Sequence, residues 1–190
     1  MKRTIWWSAG VVALACAVWF VAGYFSALPA CAHDPRFVCS PRDAAHPVVV
    51  PDPQKSWAYY GGLQPGQRDV FTFTIARPLR VPWNLLIDGR DAGNPARPEA
   101  TLADSSGNAL ARLDLRDSKP FYEPFSRLTY LESPDRSLDL PPGTYRIDVT
   151  MTGGTGRQRY VMAIGEDERF GVGEIPYVLG AIGRIRALRY

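Results

Sequence analysis

Residues 138–151 read LDLPPGTYRIDVTM, two alternating segments joined by a Pro-Pro-Gly turn. Apolar residues take every other position of the second segment: Tyr145, Ile147, Val149 and Met151. A period of two predicts a β-strand with one buried face and one wet face. Because the proline-glycine turn is short, we expect the two strands to be antiparallel.

The same alternation recurs on both sides of this stretch. Phe71, Phe73 and Ile75 alternate with polar residues, and a glycine-rich turn precedes Tyr160, Met162 and Ile164. The spacing of roughly eight strands predicts an all-β fold, an antiparallel, jelly-roll-like β-sandwich, with a closed barrel as the structural alternative. The less regular strand segments are 57–59, 79–87, 100–103, 109–115 and 127–131.

The amino-acid composition and the distribution of charge exclude several classes of protein. The 190 residues are 46% hydrophobic and 22% charged, and 17 prolines argue against a helical bundle. The net charge of +3 is unevenly distributed, because the basic residues of both ends flank a body, residues 31–174, that sums to −2. Because this body has a net negative charge, we expect no nucleic-acid partner.

The N-terminal segment carries no charge from Thr4 to Ala32. Residues 5–28 are nearly all apolar and would extend about 36 Å as a helix, enough to cross a bilayer. With Lys2 and Arg3 on the cytoplasmic side, residues 1–32 are predicted to be a transmembrane anchor that places the rest outside the cytoplasm, in the periplasm or at the cell surface. Cleavage after Ala32 and lipidation of Cys31 are the alternatives.

Residues 33–55 are rich in proline and are predicted to be an extended stalk, with a possible short edge strand at residues 48–50. Cys31 and Cys39 lie in the segment expected outside the cytoplasm, where disulfides persist, so we expect them to pair. A metal site is the alternative, but its spacing matches no standard motif; its members would be Cys31, His33, Asp34, Cys39 and His46.

Several of these segments resemble one family. Residues 70–75, 102–111, 138–149 and 160–164, above all the Pro-Gly-Thr-Tyr turn that leads into a strand, are similar to bacterial pre-peptidase C-terminal-type domains. The resemblance covers about residues 56–165. It implies a small exported β-sandwich and a noncatalytic module, usually an appendage of secreted enzymes. No binding residue is implied.

No motif for catalysis or for a cofactor is present. Both histidines lie in the predicted stalk, which leaves the body without an imidazole base, so we expect neither enzyme activity nor a bound cofactor or metal. A hydrolase based on carboxylates is the alternative, and residues 88–94 are either a hairpin turn or a calcium loop. The carboxylates available are Glu123 with Glu132, or Glu166, Asp167 and Glu168.

Phe121, Tyr122 and Phe125 form the most concentrated aromatic stretch of the body. If these rings are exposed, they are a candidate surface for a partner or ligand; if buried, they cap one end of the sandwich.

Residues 166–190 are predicted to form a loop and a short amphipathic helix, because apolar residues recur there with helical spacing. Arg184, Arg186 and Arg189 lie in the last turns and are candidate contacts to a membrane surface. The alternatives are that the helix packs on its own sandwich or docks a partner. The apolar positions are Ile175, Val178, Leu179, Ile182, Ile185 and Leu188.

Together these features predict a membrane-anchored, extracytoplasmic and noncatalytic β-sandwich. We expect it to serve as an accessory or scaffold subunit of a membrane or envelope complex, with membrane lipid and an envelope protein as partners. A carbohydrate- or peptide-binding module is the alternative function.

Overall fold

The computed structural model describes residues 34–124, 126–169 and 175–187. The predicted anchor over residues 1–32 lies outside the described residues, and so do Cys31, His33, Phe125 and Arg189. In the part of the chain that is described, no helix has both the length and the apolar character needed to cross a membrane.

The described residues form twelve strands, a short 3-10 helix at Gly89–Asp91 and one α-helix. The elements are β1 Asp34–Phe37, β2 Val48–Val49, β3 Trp57–Leu63, β4 Arg68–Ile75, β5 Leu79–Asp88, β6 Pro98–Asp104, β7 Ala109–Leu113, β8 Lys119–Glu123, β9 Leu128–Glu132, β10 Arg136–Leu140, β11 Gly143–Met151, β12 Gln158–Ile164 and α1 Ile175–Arg186. The mostly β composition and the short helix near the C-terminus are confirmed.

The strands form two sheets, as the sandwich prediction requires. One sheet has seven strands in the order β1-β3-β12-β5-β9-β8, with β10 also paired to β5, and the other has five in the order β2-β4-β11-β6-β7. Ladders are antiparallel except for two, β1 with β3 and β2 with β4, which are parallel. The expectation of a wholly antiparallel sandwich is therefore wrong at the N-terminal segment.

Aromatic rings fill much of the space between the sheets. Tyr59 of the seven-stranded sheet meets Phe71 of the five-stranded sheet edge to face, with ring centroids 5.3 Å apart. Phe73 stacks on Tyr145 at 5.6 Å. The apolar positions predicted from alternation in β4, β11 and β12 are all buried in this core, because each strand presents every second side chain to the opposite sheet.

The strands were expected to have one face exposed to solvent, and the seven-stranded sheet does not follow this expectation. Its outer face is apolar too, and a second buried cluster forms there from Ala58, Tyr60, Leu86, Tyr130, Val161, Ala163 and the helix residue Ile185. Helix α1 covers part of this face and buries Val178, Ala181 and Ile185. The amphipathic helix predicted from periodicity is thus present, and its apolar side packs on the sandwich.

The N-terminal segment, predicted as a stalk, pairs with both sheets. β1 joins the edge of the seven-stranded sheet and β2 joins that of the five-stranded sheet. Val38 and Val50, which follow these strands, are buried in the core. The short edge strand expected at residues 48–50 is confirmed at Val48–Val49, whereas β1 was not predicted because its sequence, Asp-Pro-Arg-Phe, does not alternate.

Buried carboxylates hold this segment in place. Asp34 is fully buried and forms ion pairs of 2.8 Å with Arg36 and with Lys55. Asp69, also fully buried, accepts hydrogen bonds from the Ser40 hydroxyl and the Arg42 backbone N–H, at 2.6 and 2.7 Å.

The hydroxyl of Tyr160 donates a third hydrogen bond to Asp69, at 2.6 Å. Its ring lies across Gly61, where a Cβ would come within 2.6 Å of the ring, so this position requires glycine. Burial, reinforced by the neighbouring Asp69 carboxylate, raises the pKa of Tyr160 well above its ordinary value. The hydroxyl therefore stays protonated and remains a donor at neutral pH.

Replacement of Tyr160 tests how much its hydrogen bond to Asp69 stabilises the fold. Tyr160→Phe leaves the ring and removes one hydrogen bond from a buried carboxylate, so we expect the free energy of unfolding to fall by about 2 kcal/mol. Urea unfolding at pH 7 measures the change. Tyr122→Phe, at a tyrosine that is 57% exposed, is the matched control and should change stability by less than about 0.5 kcal/mol. Equal midpoints for the two variants would show that the Asp69 contact contributes nothing.

Candidate functional site

A shallow groove lies on the outer face of the seven-stranded sheet. We call it the outer groove; its lining comes from six strands and is mostly apolar, with two carboxylates. Its cavity volume of about 30 Å³ holds one or two water molecules, so it fits a surface contact rather than an enclosed small ligand. The lining residues are Pro35, Ala58, Tyr60, Leu86, Phe121, Glu123, Tyr130, Glu132, Val161 and Ala163.

Strand register explains why these residues meet. Tyr60, Val161, Leu86 and Glu132 are successive cross-strand partners on β3, β12, β5 and β9. Phe121 of β8 is the partner of Tyr130 in the next row. Because partners in register share a face, the groove is a set of rows that run across the strands.

Glu132 is the half-buried carboxylate of the groove. Its Oε1 accepts a hydrogen bond of 2.6 Å from the amide nitrogen of Asn84. Burial raises the pKa of Glu132, the nearby Asp135 carboxylate raises it further, and the bond from Asn84 opposes both effects. Glu132 is thus a carboxylate whose charge is poorly compensated by the protein.

Glu123, the other carboxylate, faces the β8–β9 turn, where its Oε2 accepts a hydrogen bond of 2.6 Å from the backbone N–H of Ser126. The register pairs Glu132 with Lys119, four residues before Glu123 on β8, so the two acids are about 13 Å apart along the strand. The row of Phe121 and Tyr130 lies between them. Paired carboxylates of glycosidases need a separation of about 5–9.5 Å, which this arrangement does not favour.

A more polar pocket, the end pocket, adjoins the outer groove and shares Ala163 with it. It is lined by Pro82, Trp83, Asn84, Asp135, Arg136, Ser137, Ala163, Gly165 and Glu166. Asn84 connects the two sites, because its amide nitrogen also donates to Asp135 at 3.1 Å. One amide group therefore holds two carboxylates, Glu132 and Asp135.

Solved structures provide the comparison for this fold. The chain is similar to a pre-peptidase C-terminal domain. That domain belongs to a collagenase from Bacillus anthracis; the TM-score is 0.42 at 15% identity, over 67% of this chain and 99% of that one. The weak resemblance expected from the sequence is confirmed to that extent.

A second similar structure is PliG of Aeromonas hydrophila, a periplasmic inhibitor of g-type lysozyme. It has a TM-score of 0.38 and 12% identity, over 69% of this chain and 97% of that one. No family model matches the chain, and no curated protein matches it.

The aromatic residues predicted as a contact surface do not lie together. Phe121 is in the outer groove, whereas Tyr122 points to the opposite face of β8 and is 57% exposed. Neighbouring residues of a strand face opposite sides, which explains the separation. Phe125 lies outside the described residues. The groove residues that the sequence analysis missed, among them Tyr60 and Leu86, lie in runs with apolar residues on both faces, a pattern typical of strands buried on both sides.

The proposed metal ligands and the disulfide find no support. Cys39 is exposed with a free thiol, and its predicted partner Cys31 lies outside the described residues. In the described ranges no three potential ligands cluster for a metal. The alternative calcium loop at residues 88–94 uses its carboxylates internally, since Asp88 pairs with Arg90 at 2.6 Å and Asp91 with Arg159 at 2.5 Å.

The two described arginines of helix α1 contact the sandwich. The Arg184 guanidinium lies 3.8 Å from the ring centroid of Phe37, and Arg186 Nε donates to the backbone carbonyl of Ser126 at 2.8 Å. These contacts support packing of the helix on its own sheet; their role at a membrane surface stays a prediction.

Two helix substitutions test this packing. Ile185→Ala removes a fully buried side chain from the outer-face cluster, so the free energy of unfolding should fall by about 2–4 kcal/mol. Leu179→Ala, at a residue that is 49% exposed, should cost less than about 0.5 kcal/mol. Thermal unfolding compares the two. Similar small losses would show that the helix is not held on the sheet.

The raised pKa of Glu132 predicts a pH-dependent effect of Glu132→Gln. The folded protein binds the proton more tightly than the unfolded chain, so the contribution of Glu132 to stability is lost as the pH rises through the folded-state pKa. The glutamine has no charge and retains an oxygen for Asn84. We expect a higher urea midpoint than the unaltered protein at pH 7, and no difference below about pH 3, where glutamate is neutral in both states.

Glu166→Gln, at an exposed carboxylate of the end pocket, is the control and should change the midpoint little at either pH. A Glu132→Gln variant that is less stable than the unaltered protein at pH 7 would show that the charge of Glu132 is compensated in the folded protein.

Proposed function

We propose that this protein is a membrane-anchored, extracytoplasmic β-sandwich that serves as an accessory or scaffold subunit of a membrane or envelope complex, and that it has no catalytic activity. The anchor and the location rest on the uncharged stretch from Thr4 to Ala32 behind two basic residues. The body supplies the contact surface.

The observation that carries this proposal is the outer groove. Apolar sheet faces are stable only when they are covered. Helix α1 covers one part of the outer face, and the groove between Pro35 and Phe121 is a shallow depression in the rest, where Phe121 is only half-buried. A concave and mostly apolar site of this kind suits contact with another protein, so we assign the groove to the partner subunit.

The chemistry of the described residues supports a noncatalytic role. Glu123 and Glu132 are separated by an aromatic row and are hydrogen-bonded in different directions. His46 lies on a surface loop with its side chain 78% exposed, where it contacts Asp43. Neither arrangement combines a base with a nucleophile or with a second acid.

A peptide-binding module is the second candidate, since the apolar lining of the groove suits a segment of a protein chain. A carbohydrate-binding module has less support. Sugar-binding surfaces use exposed aromatic rings side by side, whereas Phe121 and Tyr122 lie on opposite faces of β8 and Tyr130 is 1% exposed.

Copurification from membranes tests the proposal. The full-length protein, extracted in a mild uncharged detergent, should retain a stoichiometric envelope protein. Phe121→Ala removes a ring from the groove and should reduce the retained partner several-fold, whereas Tyr122→Ala, the neighbour on the opposite face, should retain it. Quantitative mass spectrometry of the purified samples measures the ratio.

Equal retention by both variants would contradict docking through the groove. Recovery of the native protein in the soluble periplasmic fraction, with its N-terminus after Ala32, would contradict the anchor.

A further inference from the structure

The two sheets of the sandwich differ in width on the side away from the N-terminal strands. Tyr59 of β3 meets Phe71 of β4 between the sheets, so β3 lies opposite β4. From this pair the seven-stranded sheet continues through β12, β5 and β9 to β8, whereas the five-stranded sheet continues through β11 and β6 to β7. The five-stranded sheet therefore ends one strand earlier than the sheet that it faces.

The inner side of β8 is exposed as a result. Pro120 and Tyr122 are the register partners of Leu131 and Thr129 on β9, and Leu131 packs against the core between the sheets. Because register partners share a face, Pro120 and Tyr122 also point to the inner side. Both side chains are nevertheless exposed, so none of the described strands of the five-stranded sheet lies beneath them.

Strand β7 borders this open space. β6 is its only strand partner among the residues that the structure describes, so one edge of its backbone presents N–H and C=O groups without a strand partner. Leu110 is exposed there, and the one charged residue of β7, Arg112, forms an ion pair with Glu99 of β6. We call the surface formed by β7 with Pro120 and Tyr122 the open edge.

The other three sheet edges are protected against the addition of a strand. β1 contains Pro35 and contacts helix α1, whose Tyr177 ring lies 5.0 Å from the Arg36 guanidinium. β2 has only two residues, and β8 carries Lys119 and Pro120. Proline, charge, short length and a covering helix are the usual protection of sheet edges. The sequence of β7, Ala-Leu-Ala-Arg-Leu, has only an arginine that is already paired.

We propose that β7 takes an extended segment of another protein as an additional strand, in the position that the five-stranded sheet leaves open beneath β8. The backbone of the segment exchanges N–H···O=C hydrogen bonds with the free edge of β7, and every second side chain of the segment points towards Pro120 and Tyr122. Because this surface is uncharged, it suits apolar residues at those alternate positions. The open edge is separate from the outer groove, so the inference goes beyond the proposed function.

A single segment suits this position better than a second copy of the sandwich. Paired strands are about 4.8 Å apart, so the two-fold axis of a dimer joined through two β7 strands would lie about 2.4 Å beyond β7. β8 extends one strand further than β7 and would cross this axis into β8 of the other copy. An isolated extended segment meets no such obstacle.

A short peptide serves as the probe of strand addition. The dye-labelled peptide Ac-Lys-Val-Thr-Val-Thr-Val-Lys-amide is titrated with the full-length protein in an uncharged detergent, and binding is followed by fluorescence anisotropy. The matched control is the same peptide methylated at every central backbone nitrogen, which keeps the side chains and removes the hydrogen-bond donors. We expect it to bind about tenfold more weakly or worse. Failure of the unmethylated peptide to bind, or equal binding of the two peptides, would overturn the proposal.

Two neighbouring substitutions locate the contact on β8. Tyr122→Ala removes the exposed ring of the open edge and should weaken binding of the unmethylated peptide about threefold or more. Phe121→Ala removes the adjacent ring, on the outer side of the same strand, and should leave the affinity within about twofold. Equal affinities of the two variants would overturn the proposal.

A cross-link locates the segment on β7. The peptide is prepared with p-benzoylphenylalanine at its central valine, irradiated with the protein, and mapped by mass spectrometry after digestion. We expect attachment within residues 109–113 or at Tyr122. Attachment to the lining of the outer groove, at Tyr60 or Leu86, would overturn the proposal.

The same two variants separate this inference from the proposed function. Tyr122→Ala should lose the peptide and retain the copurified envelope protein, and Phe121→Ala should show the reverse. If Phe121→Ala retains the envelope protein while Tyr122→Ala loses the peptide, docking through the groove is wrong and strand addition at β7 stands. A dimer of the unaltered protein in sedimentation velocity that dissociates in Tyr122→Ala would assign the open edge to a second copy and overturn the proposal.

Discussion

The seven-stranded sheet is apolar on both faces, and most of the architecture serves to cover these faces. Its inner face is covered by the five-stranded sheet through contacts such as Tyr59 with Phe71. Its outer face is covered by helix α1, whose Ile185 is fully buried there. A helix of twelve residues is too short to cover seven strands, so the outer groove remains. The groove is therefore a direct result of the burial that stabilises the fold.

Buried carboxylates decide the path of the N-terminal segment. Asp34 and Asp69 would each destabilise the sandwich strongly if they lacked partners, because a charge loses its hydration on burial. Ion pairs with Arg36 and Lys55 compensate Asp34, and hydrogen bonds from Tyr160 and its neighbours compensate Asp69. These polar contacts make residues 34–55 part of the sandwich, although their composition is typical of an extended linker.

Phe121 and Tyr122 show how much of the candidate site could be predicted from the sequence alone. The aromatic run at Phe121 and Tyr122 was identified as a candidate surface, yet its two rings lie on opposite faces of β8. Conversely, Asn84, Glu132 and Asp135 meet around one amide group although about fifty residues separate the first from the others. No local pattern indicates such a junction, because it depends on the register of β5 with β9.

Local periodicity was sufficient to predict the strands of the core and helix α1, since alternation and helical spacing are properties of neighbouring residues. It left open whether the helix lies on lipid or on its own sheet. The buried side of the helix packs on the apolar outer face formed by β3, β12 and β5, three strands distant in sequence, and its contact with lipid stays a prediction. Strand order, the parallel edge strands and the outer groove depend on long-range pairing, whose free energy is gained only when distant segments pack together.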